Sequence, residues 1–211
     1  MLGRSRRFRY LVVGLSTIGV AASLVAVAPV AQASEDVARR SVNYADANRL
    51  LTPNVMLWKP TYTAGLKRKR AIDVIAFGKG AKRSTFAGSS YGSRGRTFTI
   101  AQRGSATRWA AKPISHSTEG LVDVVPLRMG PPGSRGVVRA RVYANCLSEE
   151  SATVGTKRCS QGDVSKFGGA LVVLARTTTG GRPQASEIRI DSTGLSYREL
   201  LRIAQGMTPL R

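Results

Sequence analysis

An alternation of small apolar and basic side chains in the C-terminal third of the chain constrains the fold most strongly. In residues 138–144 (VRARVYA), apolar side chains occupy every second position, and Arg or Tyr occupies the positions between them. Ile188 and Ile190 alternate with charged residues in the same way. A period of two is typical of antiparallel strands that bury one face. Residues 170–175 (ALVVLA) are apolar throughout, which predicts a strand in the interior of the sheet.

A helix is predicted at the C-terminal end, over residues 197–205. Ser196 and Glu199 have the spacing of a capping box, in which two side chains satisfy otherwise unpaired amides. Gly206 stands where a left-handed residue often ends a helix, and Pro209 prevents continuation. A helix this short is not stable alone, so it must pack on the sheet. We therefore predict an α+β fold, mostly antiparallel β-sheet with a C-terminal amphipathic helix packed on it.

The rest of the chain is predicted to contain a loop, a lead segment and four further strands. Residues 78–95 are rich in Gly, Ser and basic side chains, and they predict a loop or a weak hairpin. Residues 34–52 are only loosely periodic and fit either a short helix or a disordered lead. The remaining predicted strands are residues 54–62, 70–77, 96–102 and 121–127.

The N-terminal segment has the three parts of a secretory signal peptide. Residues 1–10 contain four arginines and no acid, residues 11–30 carry no charge, and an A-x-A site follows. Cleavage is expected between Ala33 and Ser34. An uncleaved N-terminal anchor is the alternative, since such an apolar segment is long enough to span a bilayer. The general and the twin-arginine export routes both remain open.

Three parts of the chain follow from these patterns: a signal peptide (1–33), an N-terminal lead segment (34–52) and a single β-rich domain (53–211). The signal peptide holds four of the 33 basic residues and none of the 12 acidic ones, so the exported chain carries a charge of +17. A field of this size attracts polyanions with little specificity. Outside the cytoplasm these are anionic lipids and wall polymers, whereas a specific nucleic acid is not expected.

The two cysteines of the chain, Cys146 and Cys159, are predicted to form a disulfide. Paired thiols in an exported protein normally oxidise. Cys146 ends the alternating strand at residues 137–145, and Cys159 precedes the segment that leads to residues 170–175. The bridge would therefore join two strands at the base of a polar connection.

The sequence offers no convincing catalytic or metal-binding residues. Residues 88–92 (GSSYG) match the G-x-S-x-G nucleophile motif, which needs a strand-to-helix turn followed by an acid and then a histidine. No Asp or Glu lies between Ser90 and the single histidine, His116. Glu149 and Glu150 lie in a Ser-rich segment and are interpreted as solvated charges. One histidine and two cysteines exclude multi-ligand zinc sites and iron–sulfur clusters, so no metal or cofactor is expected.

Basic residues cluster in the segments around Phe86 and Tyr91. Cations interleaved with aromatic rings are typical of a polyanion-binding face, in which the rings stack on the ligand. A solvated rim on a basic protein is the alternative interpretation. The candidate binding residues are Lys67, Arg68, Lys69, Arg70, Lys79, Lys82, Arg83, Arg94 and Arg96.

Residues 170–207, ALVVLARTTTGGRPQASEIRIDSTGLSYRELLRIAQGM, resemble the closing strand–strand–helix of a group of exported modules. These modules are related to sigma-factor regulators of the RseB type and to LolA-like lipoprotein carriers. Residues 193–207 carry most of the likeness, and residues 98–102 are similar to an upstream strand of the same modules. The resemblance implies a curved antiparallel sheet that holds a helix in its concavity, with an apolar groove for a lipid or an acylated peptide.

These features together predict an exported, non-enzymatic binding or sensing module of the cell envelope. Its expected ligand is apolar or anionic: a lipid, an acylated peptide or a wall polymer. Two alternatives remain open. One is a secreted hydrolase that uses Ser90 or scattered carboxylates, and the other is a purely structural surface protein.

Overall fold

The computed structural model describes residues 38–51, 56–77, 84–104, 118–130, 133, 136–146, 159–179 and 182–210. The predicted signal peptide and its cleavage site lie outside these ranges, as do His116, Glu149 and Glu150. No helix in the described ranges is long and apolar enough to cross a membrane. The elements are β1 (Ala38–Val42), α1 (Tyr44–Leu50), β2 (Trp58–Pro60), β3 (Ile72–Phe77), β4 (Ser84–Ser93), β5 (Arg96–Gly104), β6 (Gly120–Met129), β7 (Gly136–Ala144), α2 (Gln161–Phe167), β8 (Gly169–Thr179), β9 (Arg182–Thr193), α3 (Tyr197–Gln205) and β10 (Met207–Pro209).

Eight of the strands form one antiparallel sheet in the order β1-β3-β4-β5-β9-β8-β7-β6. The short strands β2 and β10 pair separately, also antiparallel. With the helix α3 at the C-terminal end, this arrangement confirms the predicted α+β class. Strand β8 lies between β9 and β7, which confirms the interior position predicted from its apolar residues.

The two faces of the sheet have different roles. The face that carries Phe98, Ile100, Ile188 and Ile190 is buried, and we call it the inner face. Helix α3 packs on it. Strand β2 also lies against it, because the side-chain amide of Gln102 pairs with both the N–H and the C=O of the Trp58 backbone, each at 2.7 Å. The opposite, outer face carries the alternate residues of the same strands.

Helix α3 has the predicted bounds and the predicted cap. The Ser196 backbone N–H donates to the Glu199 carboxylate at 2.9 Å, and the Glu199 N–H donates to the Ser196 hydroxyl. The expectation of a left-handed Gly206 is wrong, since its φ is −81°. A Cβ on Gly206 would instead lie 3.2 Å from Thr61 and Tyr62, so a larger residue here would have to displace these close neighbours.

Residues 38–51, from the predicted lead segment, form a strand and a helix. Strand β1 pairs with β3 at the edge of the sheet. Helix α1 begins at Asn43, whose side chain accepts the Asp46 N–H at 2.9 Å. Tyr44 and Ala47 of this helix are buried in a second apolar cluster with Ile72 of β3. This part of the chain therefore belongs to the β-rich fold, which extends upstream of residue 53.

The prediction of a loop over residues 78–95 is wrong for residues 84–93, which form the ten-residue strand β4. Strand β4 pairs with β3 on one side and β5 on the other. Its inward side chains, Thr85, Ala87, Ser89 and Tyr91, are all buried. Pairing on both sides outweighs the low strand propensity of Gly and Ser. The connection to β5 is only Arg94 and Gly95.

Helix α2 was not predicted from the sequence. Ser160 and Asp163 form a capping box at its start, and Val164 is buried beneath it. The S-x-x-D spacing is visible in the sequence, but the helix has only seven residues and no repeated apolar stripe. Its existence depends on contacts with β7 and β8.

The predicted disulfide is present in the fold. Cys146 and Cys159 are bonded, with their Cα atoms 5.8 Å apart. Strands β7 and β8, which the two cysteines flank, are direct neighbours as expected. The pair is compatible with an exported protein in an oxidising compartment. Residues 147–158 of the connection lie outside the described ranges.

Gly194, between β9 and α3, is expected to tolerate no side chain. Its φ is +67°, and a Cβ there would overlap the backbone carbonyl oxygen of Gly95. Gly194→Ala should therefore cost about 2 kcal/mol or more, from left-handed strain and displaced backbone together. Gly65→Ala is the matched control, because Gly65 has φ +74° but open space around its Cβ position. Urea unfolding of both variants measures the difference, and equal losses would contradict it.

The cap of α3 makes a pH-dependent contribution to stability. The Ser196 backbone N–H, with the Ser196 hydroxyl and Arg96, lowers the pKa of Glu199. A carboxyl with a lowered folded-state pKa stabilises above its unfolded value of about 4.3, and this contribution is lost as the pH falls through the folded value. Glu199→Gln should therefore be less stable than the parent at pH 7, and the two should converge as the pH falls through the folded-state pKa of Glu199. Urea midpoints across pH 3–7 test this, and a gap that does not change with pH would contradict it.

Candidate functional site

A groove of about 460 Å³ lies on the outer face of β3, β4 and β5. We call it the β4 groove. Its floor is the outward side of β4, where Gly88 and Ser90 have small side chains or none. Gly88 stands opposite Asp73 of β3 and Ala101 of β5. The larger side chains of these two neighbouring strands form the sides of the depression.

The two ends of the β4 groove differ in polarity. The end near the start of β4 is apolar and is walled by Ile75, Phe86 and Ala101. Ile75 and Phe86 are direct cross-strand partners, so their side chains lie side by side on the same face. The rest of the lining is polar and includes one acidic residue; it consists of Ser90, Thr97, Thr99, Lys69, Arg70 and Asp73.

Backbone pairing fixes the position of the two cations. The Lys69 N–H donates to the Ser90 carbonyl at 2.8 Å, and the Gly92 N–H donates to the Lys67 carbonyl at 2.9 Å. The chain before β3 therefore continues along the same edge of β4. The Lys69 side chain passes over Gly92, where a Cβ would be 2.6 Å from the lysine Cε. Neither Lys69 nor Arg70 forms an ion pair with any carboxylate in the described ranges.

The basic residues predicted as one face do not lie together. Arg68 stands opposite Tyr91, and its guanidinium lies 5.5 Å from the Tyr44 ring, on the inner side of β4. Arg94 is exposed at the β4–β5 turn. Arg96 forms an ion pair with Glu199 at 2.5 Å. Of the candidates in the described ranges, the β4 groove therefore takes only Lys69 and Arg70, while Lys79, Lys82 and Arg83 lie outside those ranges.

The prediction that Tyr91 stacks on a ligand is wrong. Tyr91 is 5% exposed, and its ring stacks on Phe98 with centroids 4.5 Å apart. Its hydroxyl lies 2.7 Å from that of Tyr44, and burial raises the pKa of Tyr91. Phe86, the other predicted aromatic, lies in the wall of the β4 groove and is only partly buried.

Ser90 lacks the geometry of a catalytic nucleophile. The G-x-S-x-G segment lies within β4 and leads into a hairpin, whereas a nucleophile elbow joins a strand to a helix. Ser90 points outward in the floor of the groove, and no histidine lies in the described ranges to activate it. The same ranges contain no group of three side chains that could hold a metal ion.

Buried ion pairs occupy the outer face beside the β4 groove. Arg189 on β9 bonds to Asp191 and Glu119. Arg103 on β5 lies 3.4 Å from Glu187, and burial raises the pKa of Glu187 although Arg103 opposes this. Each arginine here already faces a carboxylate, so a groove ligand would meet the positive charges of Lys69 and Arg70 and the carboxylate of Asp73, which also accepts the Ser41 hydroxyl at 2.5 Å.

No protein-family model, curated protein or solved structure matches this chain. Function must therefore be inferred from the groove itself. The small residues at positions 88, 90 and 92 are the sequence signal for this groove, and it was not recognised because the segment was interpreted as a loop. In a strand, alternate positions share a face, so a run of small alternate residues leaves a depression when taller strands flank it.

Proposed function

We propose that this protein is an exported, non-enzymatic binding module of the cell envelope, and that it holds an amphiphilic anion in the β4 groove. The observation that carries the proposal is the change along the groove from apolar walls to the cations Lys69 and Arg70, which form no ion pair within the described ranges. A lipid or an acylated peptide has the matching chemistry, with its acyl part beside Phe86 and its charged head beside Lys69 and Arg70.

The size and polarity of the groove support such a ligand. Its volume of about 460 Å³ falls within the rough 300–1,000 Å³ range of small-molecule sites. Ile75, Phe86 and Ala101 offer an apolar surface, which favours burial of hydrocarbon. The polar end adds the hydroxyls of Thr97 and Thr99 as hydrogen-bonding groups for a head group.

Export is supported by the chain itself. The basic and apolar N-terminal segments have the pattern of a signal peptide, and Cys146 and Cys159 form a bridge that suits an oxidising compartment. The charge of +17 after cleavage at Ala33 favours approach of anionic envelope components.

The resemblance of residues 170–207 to RseB-type regulators and LolA-like carriers is part of this proposal, although the ligand site we propose is different. The resemblance implies a groove on the face that holds the helix. Beneath α3 that face is filled by Leu200, Ile203 and Ala204, all fully buried. The ligand is therefore placed on the outer face.

Titration with cis-parinaric acid, a fluorescent fatty acid, tests the proposal. The parent chain, without residues 1–33, should bind the acid more tightly than its uncharged methyl ester. Lys69→Gln with Arg70→Gln should weaken binding of the acid about tenfold, since each surface charge contributes up to about 1 kcal/mol. Arg94→Gln is the matched control, because Arg94 is exposed outside the groove. Equal affinity for acid and ester would contradict the cationic head-group site.

A second variant tests the apolar end. Gly88→Leu places a side chain in the floor of the groove, next to the Phe86 ring. It should reduce the affinity for both the acid and the ester, while circular dichroism confirms the fold. Unchanged affinity would place the ligand elsewhere. Ester hydrolysis that disappears in Ser90→Ala would favour the hydrolase alternative instead.

A further inference from the structure

The outer face of β6 and β7, at the other end of the sheet from the β4 groove, has a regular pattern of side chains. On this face, residues that stand opposite each other on β6 and β7 form successive pairs, and each pair consists of one apolar residue and one arginine. The pairs are Val124 with Arg141, Pro126 with Arg139, and Val137 with Arg128. We call these six residues the arginine–valine surface.

The arginines of this surface carry net positive charge. Arg128, Arg139 and Arg141 are all exposed, and none forms an ion pair with a carboxylate in the described ranges. Arg141 hydrogen-bonds Tyr143, which is neutral. Asp123, the nearest acid along β6, points to the inner side and accepts the Tyr197 hydroxyl at 2.9 Å.

The apolar residues of this surface are unusually exposed. Val124 is 46% and Val137 is 65% exposed, and they are two of the three large apolar side chains exposed to this degree in the described ranges. On β8, Val172 stands opposite Arg141 and points to the same face, where it is half-buried. The exposed valines of β6 and β7 therefore lie among arginines that form no ion pair within the described ranges.

We propose that the arginine–valine surface docks this protein on the surface of an anionic lipid bilayer. Anionic lipid attracts arginine near the membrane, and long arginine stems let the guanidinium reach phosphate while apolar neighbours meet the interface. A soluble polyanion would satisfy the charges alone and leave the valines in water. Neighbouring outward positions of β6 and β7 present all six side chains on one face, which suits an extended interface.

This surface is separate from the proposed ligand site. Strands β9 and β8 lie between β5 and β7, so the β4 groove and the arginine–valine surface share a face without sharing residues. The two proposals fail independently, because parinarate binding reports on the groove and vesicle binding reports on this surface.

Co-sedimentation with vesicles tests the docking proposal. The chain without residues 1–33 should bind vesicles of phosphatidylcholine with 30% phosphatidylglycerol, and bind pure phosphatidylcholine much more weakly. Each arginine near an anionic surface contributes roughly fivefold, so the triple change Arg128→Gln, Arg139→Gln and Arg141→Gln should weaken binding by about a hundredfold. A matched triple control changes the exposed residues Arg40, Arg94 and Arg198 to Gln.

A second set of variants separates a membrane from a polymer. Val124→Ser with Val137→Ser should weaken vesicle binding at least several-fold while leaving the charge unchanged. Parinarate affinity and thermal unfolding of these variants should match the parent. Equal loss in the arginine triple and in its control would overturn the proposal. It would also be overturned if the serine variant bound vesicles normally while the arginine triple lost binding to soluble polyphosphate, because that would indicate a polymer partner.

Discussion

Replacing Ile203 with alanine is expected to destabilise the protein by about 3 kcal/mol or more. Ile203 is fully buried at the centre of α3, against the main apolar cluster of the inner face. Truncation removes three carbons and leaves a cavity between the helix and the sheet that neither element can close. Urea unfolding followed by circular dichroism measures the loss.

The control for this prediction is Arg198→Ala on the same helix. Arg198 is exposed, and alanine has high helix propensity, so its unfolding free energy should remain within about 0.5 kcal/mol of the parent. A loss in Ile203→Ala as small as that in the control would show that α3 does not pack on the sheet as described.

The second large effect is expected from the disulfide. Changing both Cys146 and Cys159 to serine should cost about 3 kcal/mol, because the bridge closes a loop with a sequence separation of 13. Cys159 is also buried beside the Ala144 carbonyl, so a serine hydroxyl there replaces an apolar sulfur contact. The loss should be seen as a lower urea midpoint with an intact β-sheet spectrum.

Reduction of the parent chain provides the control for the serine variant. Reduced parent and double variant should unfold at similar urea concentrations, since both lack the same covalent constraint. A native parent chain that shows two thiols to alkylating reagents before reduction would contradict the bridge. An unchanged urea midpoint after reduction would instead show that the bridge contributes little to stability.

The elements predicted correctly are those whose signals are local. Strands β7, β8 and β9 and helix α3 have their period or their cap within ten or so consecutive residues. Strand β4 has no such signal, because its Gly and Ser residues have low strand propensity and it is held by partners on both sides. Helix α2 is likewise held by its neighbours and has little periodicity of its own.

The candidate site could be predicted in composition but not in geometry. The basic run at residues 67–70 is plain in the sequence, yet strand pairing sends Arg68 to the inner side and Lys69 to the outer side. On β6 a register shift between Leu121 and Asp123 puts these two residues on opposite faces, although a spacing of two predicts the same face. Neither result follows from spacing alone, because each depends on a partner strand distant in the chain.

The position of β9 next to β5 has a consequence for how this chain acquires its structure. The two strands are joined by pairs such as Thr97 with Thr193, so the halves of the sheet meet only through residues near the C-terminus. Strand β2 likewise pairs with β10, which lies about 150 residues later in the chain. Contacts so distant in sequence must overcome the entropy of long loops, which makes folding slow. The sheet can therefore be completed only after β9 has been synthesised, so its two halves remain unpaired with each other during most of the chain's synthesis.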